Sequence, residues 1–246
     1  MRRAIAFLTP FGGAAVPTPG TLDWFPVIGA AIGLAVGGVW WVAGRAWPPA
    51  AAAGIALVSD VVLTGYLHLD GLADAADGLL PPMERERRLE VMKDPAVGAF
   101  GAVTLVVVLV LRFGAFASTA AAPLVVGALW CASRAAMAVV ARATHYARPG
   151  GLAAAFVDGD TRGGPGNPGT VRAVVVPGVV GAVLALGMAV IGRGGHGAAA
   201  VGAELVAMAG VVLFAQRRIG GFTGDVLGAA GVVGETVGLL VLAAKW

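Results

Sequence analysis

The sequence predicts an all-α fold: a polytopic integral-membrane bundle of about seven transmembrane helices, forming one domain over residues 1–246 with its N-terminus in the cytoplasm. Three observations predict it. Of the 246 residues, 58% are apolar and 13% are charged, whereas a soluble domain carries about 25% charge. Mean hydropathy is +0.86, which argues against a disordered chain, a collagen-like fibre or a disulfide scaffold. Apolar runs close to the ~20 residues that one helix needs to cross a bilayer recur between clusters of charge. Seven such helices in a soluble protein would need a polar shell that this composition cannot build.

In order, the chain opens on Arg2 and Arg3, followed by an apolar run too short for a signal-peptide core and broken by Thr9, Pro10, Gly12 and Gly13. This segment is expected to remain in place. The first span covers 27–43, where Gly29, Gly33 and Gly37 recur at the spacing of a closely packed helix face. The second, 50–67, leads into an acidic helix over 65–78. The third and fourth cover 100–117 and 123–141; the latter holds the single cysteine, Cys131, which excludes an intrachain disulfide and a thiolate zinc site. The fifth, sixth and seventh cover 173–191, 198–215 and 226–244. With a cytoplasmic N-terminus, twelve of the seventeen basic residues fall on the inner face and only Arg45, Arg193 and Lys245 on the outer one. The formal charge of +3 is thus a record of topology and gives no reason to expect nucleic acid as a partner. Long connections over 68–99 and 142–172 lie inside and the outer turns are short, so the working face is expected to be cytoplasmic, with lipid around the spans. The small-residue faces permit association into a homo-oligomer without specifying one.

The densest chemistry lies in GYLHLDGLADAADG, residues 65–78. Relative to Asp70, Asp74 stands at about 40° and Asp77 at about 340°, so three carboxylates share one helix face. They repel one another, and a divalent cation would remove the conflict. Oxygen ligands with room for water and phosphate suit Mg²⁺. His68 falls on the other side of the helix, as a substrate contact, a cap or a packing residue. A second cluster, ERERRLEVMKDPAVGAFG over 84–101, reads mostly as a solvated helix, but Lys93 and Asp94 stand directly before a span and near the acidic helix. The third, GGFTGDVLG over 220–228, combines Gly221, Thr223 and Gly224 in a turn suited to an anion, with Asp225 as a helix cap or a further metal ligand. Arg134 lies inside the fourth span and needs an interior partner, while Arg142 and Arg148 lie just beyond it. Asp60, Arg112 and Glu204 read as paired or interfacial charges, and Glu235 as a supporting residue.

The stretches HLDGLADAADG, MKDPAVGAFG and GGFTGDVLGAA, with Ser133–Arg134 and YARPGGL, resemble the adenosylcobinamide-GDP ribazoletransferase (cobalamin synthase) family nearly end to end. The chain departs from that pattern at Pro10, where an arginine usually stands, and at Val232, where a polar residue does. The resemblance implies a Mg²⁺-dependent membrane enzyme that joins adenosylcobinamide-GDP to alpha-ribazole or its 5′-phosphate and releases GMP. In that frame Asp70, Asp74, Asp77 and Asp225 would hold the metal. Asp94, Lys93 and Arg134 would serve catalysis, and His68, Arg148, Gly221, Thr223 and Gly224 would bind substrate. A weaker likeness of Asp74, Asp77 and Gly78 to the CDP-alcohol phosphotransferase signature, and a transporter with intramembrane carboxylates, are the competing readings.

Overall fold

The computed structural model describes residues 1–148, 156 and 168–245. Every regular element among them is helical: α1 (Arg2–Leu8), a 3₁₀ turn (Pro19–Trp24), α2 (Phe25–Ala46), α3 (Pro49–Thr64), α4 (Leu67–Leu79), α5 (Arg85–Val91), α6 (Ala99–Ser118), α7 (Pro123–Ala143), α8 (Pro168–Ile219) and α9 (Gly224–Ala243). Prolines open α2, α3 and α7, positions where the missing N–H would have had no helical partner.

Five helices, α2, α6, α7, α8 and α9, are each long and apolar enough to cross a membrane, and α3 with α4 makes six if the two count as one bent span. The fold is therefore an all-α, multi-pass membrane bundle. The expected count of seven depends on dividing α8, whose 52 residues would reach about 78 Å if straight. That is more than twice the hydrocarbon thickness. Arg193 and Gly194 leave helical geometry, Gly194 at φ +56°. Residues on both sides of this break, Ala182 and Leu186 before it and Val201 and Leu205 after it, face the same apolar cleft, so the two limbs fold back on each other.

The second span also differs from expectation. A helix over 50–67 gives way to α3, which ends at Thr64, and α4 leaves it at 88°. The cause is local: Gly65 (φ +59°) and Tyr66 (φ +62°) are both left-handed, and no right-handed helix continues through them.

The central helices are α7 and α9, which are mostly buried, whereas α6 and α8 expose most of their surface. Val103, Val106 and Val110 on α6 and Val183, Ile191 and Val206 on α8 are among these exposed apolar residues, a pattern suited to lipid. The α2 glycines do what their spacing predicts. A Cβ on Gly29, Gly33 or Gly37 would overlap the α7 backbone at Trp130, Val126 or Pro123. Cys131 is fully buried in α7.

At one end of the bundle, arginines tie the connections together. Arg85 donates from Nε to the Ile219 carbonyl (2.9 Å) and from Nη2 to that of Ala147 (3.1 Å). Arg142 pairs with Asp23 (2.8 Å) and donates to the Pro19 and Ala173 carbonyls. Buried Arg88 donates to the Gly78 and Leu79 carbonyls, both at 2.9 Å, closing the end of α4. Burial and the nearby Arg218 pull Arg88 below the ordinary arginine pKa.

Candidate active site

A cavity of about 320 Å³ opens at this end, between α1, α2, α4, the residues after α7 and the start of α9. Its construction begins with two close helix crossings. A Cβ on Gly71 of α4 would stand 3.0 Å from the Cα of Asp225, and one on Gly228 of α9 would stand 3.3 Å from the Cα of His68. Glycine at both positions lets α4 and α9 touch backbone to backbone, which sets Asp225 beside the acidic face of α4.

The turn before α9 is held by a short parallel bridge. The Phe222 N–H donates to the His145 carbonyl (3.0 Å) and the Ala147 N–H donates to the Phe222 carbonyl (2.8 Å). Gly221 lies against the His145 carbonyl where a Cβ would clash, so its smallness serves this bridge. Thr223 caps α9, accepting from the Val226 N–H (3.3 Å) and donating to Asp225 Oδ2 (3.1 Å). Neither Gly221 nor Thr223 lines the cavity, whereas Gly224 and Asp225 do.

One wall of the cavity is polar, with His68, Asp70, Arg148 and Asp225. Arg148 Nη2 stands 3.2 Å from Asp225 Oδ2. Its Nη1, and Nδ1 of His68, are buried and have no hydrogen-bond partner among the described residues. Buried donors and acceptors are rarely left so, and both belong to residues that face the space a ligand would fill. Asp74 lies in the field of Asp225, Asp70 and Asp77, opposed by Arg148. Most of the remaining lining is apolar or aromatic, including Tyr146; Phe7 and Phe25 stack with centroids 5.8 Å apart, and Phe156 meets both edge-on at 4.9 and 5.8 Å.

The three α4 aspartates do share a helix, yet their surroundings differ. Asp70 is exposed and Asp74 half-buried. Asp77 is buried and accepts from the N–H groups of Gly98 (2.7 Å) and Gly101 (2.9 Å) at the start of α6. Among the described residues, no three His, Cys, Asp or Glu side chains are gathered so as to hold a metal on their own. Lys93 and Asp94 are exposed on the segment that Asp77 anchors; Asp94 accepts from the Ala96 N–H (3.0 Å), and neither residue lines the cavity.

Arg134 has its interior partner, but the partner is Glu235 of α9, with Ser133 Oγ at 2.8 Å. It belongs to a buried charge network in the middle of the bundle and does not line the cavity. Arg112 donates to Asp60 Oδ2 and to Glu235 Oε2, both at 2.6 Å, and to Thr236 Oγ1 at 2.9 Å, while Trp130 Nε1 donates to Asp60 Oδ1 at 3.0 Å. Of the two readings open for Asp60 and Arg112, paired or interfacial, the structure shows a buried pair. Glu204 is fully buried, and neither of its carboxylate oxygens has a hydrogen-bond partner among the described residues.

No signal in the sequence marks the aromatic wall. Phe7, Leu22 and Phe156 lie in separate segments with no shared spacing, so no periodicity joins them. Of the YARPGGL stretch, residues 149–152 lie outside the described residues.

The profile of the family described as cobalamin-5-phosphate synthase matches residues 1–243. A protein of Bradyrhizobium diazoefficiens named adenosylcobinamide-GDP ribazoletransferase is 40% identical over 99% of this chain and 93% of its own length. Proteins of the same name from Chlorobium phaeobacteroides and Citrobacter koseri are 35% and 37% identical, over 87% and 89% of this chain and 87% and 85% of their own. No solved structure matches the chain. With the match running from the first residue of α1 to the last of α9, through every element that lines the cavity, the chain belongs to the cobalamin-5-phosphate synthase family.

Proposed function

We propose that the chain joins adenosylcobinamide-GDP to alpha-ribazole or its 5′-phosphate, releasing GMP and giving adenosylcobalamin or its 5′-phosphate, at a site on the cytoplasmic face of the cell membrane. The observation that carries this reading is the polar wall. Two buried, unpartnered nitrogens, His68 Nδ1 and Arg148 Nη1, belong to residues lining one cavity with Asp70 and Asp225. A diphosphate with its counter-cation meets both halves of that wall. The basic residues at this end support the cytoplasmic assignment.

In the reaction, a ribazole hydroxyl oxygen forms a bond to the phosphorus that carries the cobinamide. The bridging P–O bond to GMP breaks and the hydroxyl proton is lost. Such a transfer depends on positioning and on charge stabilisation. Asp70 and Asp225, which line the cavity, are the residues that would hold Mg²⁺, with Asp74 outside the lining but in their field. Mg²⁺ commonly takes one or two carboxylates and fills its shell with phosphate and water, a demand that two carboxylates facing one cavity can meet. When bound, Mg²⁺ supplies Lewis-acid polarisation of the phosphate oxygens. Arg148, the one arginine among the described residues that lines the cavity, offsets charge developing on the phosphates. His68 offers Nδ1 to a substrate oxygen or hydroxyl. Asp77 holds the start of α6 in place, and Arg134, outside the cavity lining, braces α9 through Glu235.

Purified protein in nanodiscs, supplied with adenosylcobinamide-GDP, alpha-ribazole phosphate and Mg²⁺, is expected to release GMP and form the joined corrinoid, both resolved by chromatography. Asp70→Asn should reduce that turnover at least about a hundredfold at limiting Mg²⁺. Unchanged turnover in this variant would remove Asp70 from the metal site.

A further inference from the structure

Resting on the ribazole-transfer reading above, we infer that Phe7, Phe25 and Phe156 form the seat of the acceptor's aromatic base and so determine which base the enzyme accepts. The cavity, at about 320 Å³, lies at the low end of the roughly 300–1,000 Å³ usual for small-molecule sites. It has room for one nucleoside-sized guest, and the far larger corrin macrocycle stays outside it. Two nucleosides enter the reaction: the guanosine of the activated donor and the ribazole acceptor. The walls distinguish them.

The three rings meet in a corner, Phe7 and Phe25 at 26° to one another and Phe156 at 78° and 84° to them. Leu22 and Met137 line the same cavity. None of these side chains offers an N–H or O–H donor or an oxygen acceptor. Guanine packed against these side chains would lose the hydration of its amide and amino edge with no hydrogen-bond partner among them, a heavy penalty for a buried polar group. The benzimidazole of ribazole carries methyl groups on the corresponding edge and suffers no such loss. Stacking against the rings adds affinity for any planar base, while the apolar corner selects against polar ones. The same placement sets the ribose of the acceptor toward Arg148, Asp225 and Asp70, where its hydroxyl must meet the diphosphate.

The test uses the whole protein in nanodiscs and measures KM for each substrate separately, together with the kcat/KM ratio between alpha-ribazole and the corresponding α-riboside of adenine. Phe7→Leu and Phe156→Ala are expected to raise the acceptor KM about tenfold. They should leave the KM for adenosylcobinamide-GDP within about twofold and lower the preference for benzimidazole over adenine. Two separate variants, one of them conservative, guard against loss through misfolding. A rise confined to the adenosylcobinamide-GDP KM would give the corner to guanine and overturn the inference. Unchanged constants in both variants would reduce the rings to packing and overturn it equally. Absence of product from the unaltered protein, with both substrates present, would instead remove the transferase reading itself.

Discussion

Asp77 accepts two backbone N–H groups at the start of α6, while Asp74, one turn earlier on α4, lies in the field of Asp225 on α9 and of Asp70 and Asp77 on its own helix. Their substitutions should therefore move stability in opposite directions. Asp77→Ala strands two donors and removes two charge-assisted bonds, a loss of about 3 kcal/mol that thermal unfolding in detergent would register. Asp74→Asn, measured the same way without Mg²⁺, should stabilise by about 0.5 kcal/mol through relief of like-charge repulsion, and should lower turnover in the GMP-release assay. The sequence places both residues on one arc and treats them alike. The difference arises from α6, whose N-terminus covers the far end of α4, and no local spacing contains that information.

Among the helices, the α2–α7 contact is legible in the sequence, because Gly29, Gly33 and Gly37 repeat every fourth residue. Gly33→Ala tests it: the added methyl would sit 2.5 Å from the Val126 carbonyl oxygen and 2.7 Å from Trp130 Cβ. Separating the two helices to admit it should cost about 1–3 kcal/mol, read as a lowered unfolding midpoint. The bend between α3 and α4 is not legible there. Gly65 alone signals a helix end, but Tyr66 adopts a left-handed conformation that its own propensity disfavours, so the surrounding structure imposes it. The break in α8 is an intermediate case, since Gly194 and Gly195 interrupt the apolar pattern and the expected spans 173–191 and 198–215 fall on its two limbs.

Across the whole molecule, the network of Asp60, Arg112, Glu235 and Arg134 joins α3, α6, α9 and α7. Composition and hydropathy identify the bundle, yet the pairing of these charges requires helices far apart in sequence to meet at one depth. The same holds for the aromatic corner of the cavity. Asp60→Ala leaves Arg112 and Trp130 Nε1 short of an acceptor at the centre of the fold, and should cost about 3–5 kcal/mol. An unfolding curve in detergent checks it. That curve can be read chemically, because the chain has one cysteine and Cys131 is fully buried in α7, the helix that also carries Trp130 and Arg134. A thiol-reactive dye finds nothing to label on the intact bundle and one group per chain once α7 is laid open. The fold thus contains its own single-site gauge of opening, with no engineered probe and no background from a second thiol.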